Sequence, residues 1–341
     1  MSKQLQIRTV STLLNLPKNQ SLHKFADLAI DGPDNNLFTD PIQLALNEDP
    51  FSKEAHATLT DFFQQISNIL RTPPLDKFKL KSLLKYSAEN NSTRLGTSRV
   101  IPNTYSKGKG CTPHMLYNLF TRYDVIKLAE KGVFDTTPAN ATLFIKGFDK
   151  DRMTDLVNSI IFKLLIEFTD REIKKAEQQT QKKVRKHPLK QEGMYWNRHT
   201  HQWEKFYYDQ YLDFNGHPLV LMPKNILTGY YVYNAERYIR GHVLLAEQKR
   251  RLNEAKAKDP KAKKEKIDNL EKEFRKSLNL NSATYKDMLV EFTLKQKNLE
   301  MLSDFKKLDP FSNTLSYSGK LTDQQLTAII MRPYISLDLI D

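Results

Sequence analysis

Residues 141–170, ATLFIKGFDKDRMTDLVNSIIFKLLIEFTD, constrain the fold more than any other stretch of this chain. A short apolar run from Ala141 to Ile145 reaches Gly147, passes Asp149, Asp151 and Asp155, and enters apolar positions at Leu156, Ile160, Ile161, Leu164 and Leu165. An apolar run closed by a glycine predicts a strand, and the spacing after it predicts a helix with one core-facing side. A strand feeding a helix through acidic residues asks for an α/β unit with carboxylates at its edge, where hard divalent cations such as Mg2+ bind.

Asp151 and Asp155 are four residues apart and Asn158 lies three beyond, so on a helix they share a face. Carboxylates this close repel unless a cation lies between them, and Mg2+, Arg152, Lys150 or a lysine from elsewhere would fill that role. The competing account makes Asp149 and Asp151 acidic caps in the first turn, where they meet the helix dipole. Asp155 lies deeper, beside core positions, where an unpaired carboxylate is costly.

Outside this stretch the sequence is rich in helices. Residues 55–70 place Leu59, Phe62, Phe63 and Ile66 on one face, and residues 77–86 present Phe78, Leu80, Leu83 and Leu84. Asp40 followed by Pro41 opens a helix, and further helices start at Pro113 and near Asp124. Between them, residues 87–113 are polar and aperiodic, with an SKGKG core whose Lys107 and Lys109 offer a phosphate contact but not the spacing of a Walker loop.

Two β-prone stretches, 203–211 and 217–222, flank Asn215-Gly216, a strong hairpin signal. His199 and His201, with one residue between them, are expected on the same side of a strand, among Trp196, Trp203, Tyr207 and Tyr208 that offer bases a stacking surface. The same two histidines have zinc-ligand spacing, without a third ligand nearby in sequence.

Charge points toward anionic partners. The 341 residues carry 53 Lys+Arg against 40 Asp+Glu, a net +13, and the length favours two or three structural units. Residues 171–190 hold eight basic residues against two acidic ones, Lys182, Lys183 and Arg185 among them. Residues 247–276 hold twelve against seven, beginning with Lys249, Arg250 and Arg251. This second run belongs to a long polar helical stretch broken at Asp259-Pro260, suited to lie along a polyanion, to pair as a coiled coil, or to act as a spacer. One cysteine, Cys111, excludes an internal disulfide framework and a multi-cysteine zinc site. The N-terminus lacks a signal-peptide pattern and no apolar run reaches membrane-spanning length, so the expected location is cytoplasmic and no membrane partner is expected.

LFTDP at residues 37–41, SKGKG at 106–110, the Gly-x-Asp-x-Asp-x-x-x-Asp-Leu pattern ending at Leu156, and GHPLVLMPK at 216–224 resemble a poorly characterised group of bacterial proteins of mobile or defence-associated islands. The likeness spans roughly the first 235 residues and implies a bacterial cytoplasmic protein, an antiphage effector or its regulator, with Asp151, Asp155 and Lys224 sharing a site. The hairpin is also similar to that of nucleases with the PD-(D/E)xK arrangement, Asp213 preceding it and Lys224 ending it. Met222 stands where those nucleases carry the second acid.

These readings converge on an α+β, helix-rich fold with a small central sheet, a hairpin and a long basic helical arm. Four parts are expected: 1–135, helical with the glycine-containing loop; 136–233, bearing the acidic cluster and hairpin; 234–308, the basic arm; and 309–341, a docking segment. The preferred function is Mg2+-dependent cleavage of DNA or RNA, with Asp151 and Asp155 holding the metal, Lys224 stabilising phosphate charge and the basic residues, with His199 and His201, holding the strand. The rival is a non-catalytic nucleic-acid-binding or assembly subunit whose arm joins copies or recruits a partner. An enzyme acting on a small phosphorylated substrate through the SKGKG loop is the third.

Overall fold

Aspartate-proline pairs start two of the first three helices. A computed structural model of the chain describes residues 7–88, 91–97, 111–135, 137–278, 284–295 and 319–335. After the single turn of α1 (Val10–Leu13), Asp40 accepts the Ile42 amide at 2.8 Å to cap α2 (Pro41–Leu46), and Asp49 accepts the Ser52 amide at 3.1 Å to cap α3 (Pro50–Arg71). In both helices proline occupies the first turn, where its missing N–H costs nothing. Asp76 caps α4 (Lys77–Leu84) and Thr112 caps α5 (Pro113–Phe120), which α6 (Tyr123–Glu130) follows.

The stretch 141–145 is not a strand. It lies in the short helix α7 (Asn140–Phe144), in which all five residues are buried. Full burial removes the periodicity that separates strand from helix, and the buried Asn140 side chain decides locally: it donates to the Val133 carbonyl and accepts from the Tyr233 hydroxyl at 2.8 Å. Asp149 then caps α8 (Lys150–Ile160), and α9 (Phe162–Thr180) continues after a break at Ile161.

The fold is α+β and helix-rich, and among the described residues its strands form three separate two-stranded antiparallel pairs. β1 (Phe38–Thr39) pairs with β6 (Leu227–Thr228), β2 (Gln191–Asn197) with β3 (Gln202–Tyr208), and β4 (Tyr211–Leu212) with β5 (Pro218–Leu219). Asn215-Gly216 does turn the chain, but between two-residue strands. The longer hairpin is β2–β3, whose turn falls at 198–201 with His201 in the left-handed region at φ 54°.

That hairpin is fastened to α3 by its two tryptophans. Trp196 and Trp203 face each other across the strands, and both pack edge-on against Phe62, with ring centroids 5.0 and 5.9 Å away. Their indole N–H groups are satisfied, Trp196 by Asp61 and Trp203 by the Leu83 carbonyl, each at 2.7 Å. The tryptophans are therefore anchors and do not form an open stacking surface. On the other side of α3, Phe63 meets Phe120 of α5, so this helix lies at the centre of one continuous core.

β1–β6 joins residues on both sides of position 135, and α8 locks the join: Thr154 Oγ1 accepts the Thr39 amide at 3.1 Å and Asn158 Oδ1 accepts the Thr39 hydroxyl at 2.8 Å. Downstream, α10 (Ala235–Tyr238) runs through a π-helical turn into α11 (Leu244–Lys258), which packs on α12 (Ile267–Ser277). α13 (Tyr285–Lys295) returns to α6 and α7. α14 (Asp323–Ile335) buries Leu326 and Ile330. No helix of the described residues is long and apolar enough to cross a membrane.

Candidate nucleic-acid interface

The shared face of α8 is occupied by donors from other segments, two backbone amides and one hydroxyl. Asp151 accepts the Thr97 amide and lies against Gly96, whose φ of +129° demands glycine and where a Cβ would stand 3.0 Å from Asp151 Oδ1. Asp155 Oδ2 accepts the Cys111 amide at 3.3 Å, and Asn158 serves Thr39 as described. Successive turns of one helix thus grip the segments at 96–97, 111 and 39. Burial, and then the neighbouring Asp149, raise the Asp151 carboxyl above its usual range. Burial lowers the ammonium of Lys150, which sits 4.0 Å over the Phe38 ring. Among the described residues no group of three or more His, Cys, Asp or Glu is placed to hold a metal ion.

Lys224 does not contact these carboxylates. Its ammonium pairs with Asp323 of α14 at 2.7 Å and donates to the Gln20 carbonyl at 3.0 Å. Asp213 is equally committed, buried against Arg94.

The two histidines diverge. They sit in the β2–β3 turn, not on a strand, because the left-handed residue at 201 reverses the chain. His201 pairs with Asp61 at 2.8 Å. His199 is exposed at the rim of a cleft of about 290 Å³ that also takes in Lys163, Glu167, Tyr195 and Arg198. No shared ligand site results.

Among the predicted phosphate-binding residues, Lys107 and Lys109 lie outside the described residues. Lys182 donates to Asn15 at 3.0 Å and Lys183 pairs with Glu177 at 3.0 Å, while Arg185 is exposed. Arg250 is held by Glu247 and Glu254; Arg251 bridges Glu247 on its own helix to Glu265 and Glu273, which pins α11 to α12. Lys249 is exposed.

A cluster of accessible positive charge lies a few residues further on. At the bend between α11 and α12, Lys256, Lys258, Lys261, Lys263, Lys264 and Lys266 are all exposed. Among the described residues none of them is ion-paired: of the two acids between them, Asp259 accepts the Lys261 backbone amide and Glu265 is taken by Arg251. In the sequence the charge is spread over the whole run of residues 247–276. The distinguishing signal is the bend at Asp259-Pro260, around which acids are sparse and lysines frequent.

Fold and surface define a helix-rich α+β protein with a concentrated basic bend. The model of a domain of unknown function, DUF8370, matches residues 15–234, and the chain belongs to that family. No curated protein and no solved structure matches it.

Proposed function

We propose that this protein binds nucleic acid through the lysine-rich bend between α11 and α12, as a binding or assembly subunit. One observation carries the reading: six exposed lysines within residues 256–266, with no ion-pair partner among the described residues. Each phosphate they neutralise releases condensed counterions, which gives affinity without base contacts. Neither DNA nor RNA is preferred by such a surface. The setting implied by the resemblance, a bacterial cytoplasmic antiphage effector or its regulator, suits a sequence-blind binder of foreign nucleic acid. Salt-titrated binding of duplex DNA and RNA tests the reading, and a protein that binds neither at low salt refutes it.

A second reading, Mg2+-dependent cleavage at Asp151 and Asp155, is favoured by the Asp151 carboxyl, raised first by burial and then by the neighbouring Asp149, whose repulsion a cation would offset. In that reading Lys224 would have to leave Asp323 to reach a phosphate.

A further inference from the structure

A second basic surface combines lysines with exposed rings. On α4, Lys77, Phe78, Lys81 and Lys85 fall within about 100° of helical arc, opposite the buried Leu80 and Leu83. Phe78 is 82% exposed, unusual for a phenylalanine, although Leu80, Leu83 and Leu84 of the same helix are buried. Lys81 Nζ lies 5.0 Å from the ring centre of Tyr117 on α5, and Lys85 Nζ lies 4.9 Å from that of the exposed Tyr86. Tyr86 is itself steadied by Trp203 at 5.8 Å, and Trp203 by its bond to the Leu83 carbonyl. Among the described residues no carboxylate pairs with Lys77, Lys81 or Lys85, and the rings position the Lys81 and Lys85 ammonium groups without neutralising them.

We infer that this face of α4 and α5 binds single-stranded nucleic acid, with Phe78 and Tyr86 stacking on unpaired bases and Lys77, Lys81 and Lys85 contacting the intervening phosphates. A duplex offers its base faces only at its ends, so an exposed phenylalanine gains little from it. An unpaired strand presents both a flat face and a charge at every nucleotide. The three lysines extend over about 12 Å of helix, a line along which a strand can run. The inference rests on the nucleic-acid reading but concerns a different surface from the lysine bend.

The test is fluorescence anisotropy of the full chain with labelled oligothymidylate, oligouridylate and a duplex, for wild type, Phe78→Ala, Phe78→Tyr, Lys81→Gln/Lys85→Gln and a variant with the bend lysines replaced by glutamine. Phe78 is too exposed for its loss to unfold the protein. Phe78→Ala should weaken single-strand binding about tenfold and leave duplex binding unchanged, with Phe78→Tyr restoring the wild-type value. The lysine pair should lower single-strand affinity further, while the bend variant acts chiefly on the duplex. Single-strand affinity unchanged by Phe78→Ala overturns the inference, as does an equal loss for strand and duplex. Anionic vesicles bound through Phe78 with oligonucleotide affinity untouched would assign the face to a lipid surface instead. Wild-type protein that binds the single strands but no duplex would refute the bend and leave this face standing.

Discussion

Arg94 and Asp213, 119 residues apart, form an ion pair of 2.7 Å with side chains only 5% and 1% exposed. The other carboxylate oxygen of Asp213 accepts the Asn215 and His217 amides, so one residue both ties the β4–β5 turn and holds the segment at 94. A residue that the sequence placed at the edge of a nuclease-like hairpin is thus a structural tie. Asp213→Ala leaves the Arg94 guanidinium buried without its partner and should cost roughly 3–5 kcal/mol in urea unfolding. A loss under about 1 kcal/mol would mean that water reaches the pair.

Asp40 gives the fold a pH dependence. Burial raises its carboxyl to about 7, against the opposing pull of the Ile42 and Gln43 amides. The folded state therefore prefers the protonated acid. Its contribution to stability is complete below about pH 4 and is lost as pH rises toward 7, at a cost of roughly 4 kcal/mol. Asp40→Asn keeps the cap and removes the ionisation, so its stability relative to wild type should rise from pH 4 to pH 7. Parallel stability curves for the two proteins would contradict the burial of this charge.

Phe62 connects α3 to the hairpin. Phe62→Ala should destabilise by about 3–5 kcal/mol. The chain has only two tryptophans, both packed on this ring, so native fluorescence should shift to the red as well. An unshifted spectrum would separate the hairpin from α3.

The core-facing helices were legible because amphipathic spacing states one buried side: Leu59, Phe62, Phe63 and Ile66 lie on α3 as their period requires. The stretch 141–145 was not legible, since residues buried on every side have no period, and its helix depends on bonds from Asn140 to Val133 and Tyr233. Likewise, nothing local to His199 and His201 announces a left-handed turn held by Asp61, a residue far away in sequence. For the candidate interface, composition disclosed the basic run but not its pairing. Which cations are spent on carboxylates, as Arg250 and Arg251 are, depends on how α11 meets α12.

The binding reading and the cleavage reading separate on metal. A cation held on the folded protein at a hundred times its dissociation constant adds about 2.7 kcal/mol. The binding reading expects equal melting temperatures in Mg2+ and in EDTA, and duplex affinity retained in Asp151→Asn and Asp155→Asn. A midpoint that falls in EDTA for wild type but not for Asp151→Asn, together with Mg2+-dependent cleavage, would favour the nuclease.

The most direct measurement is the salt dependence of duplex binding by wild type and by the variant carrying glutamine at Lys256, Lys258, Lys261, Lys263, Lys264 and Lys266. If the bend carries the interaction, the slope of log affinity against log salt should become shallower by up to about five in the variant, with weaker binding at low salt. Equal slopes and affinities for the two proteins would contradict the account.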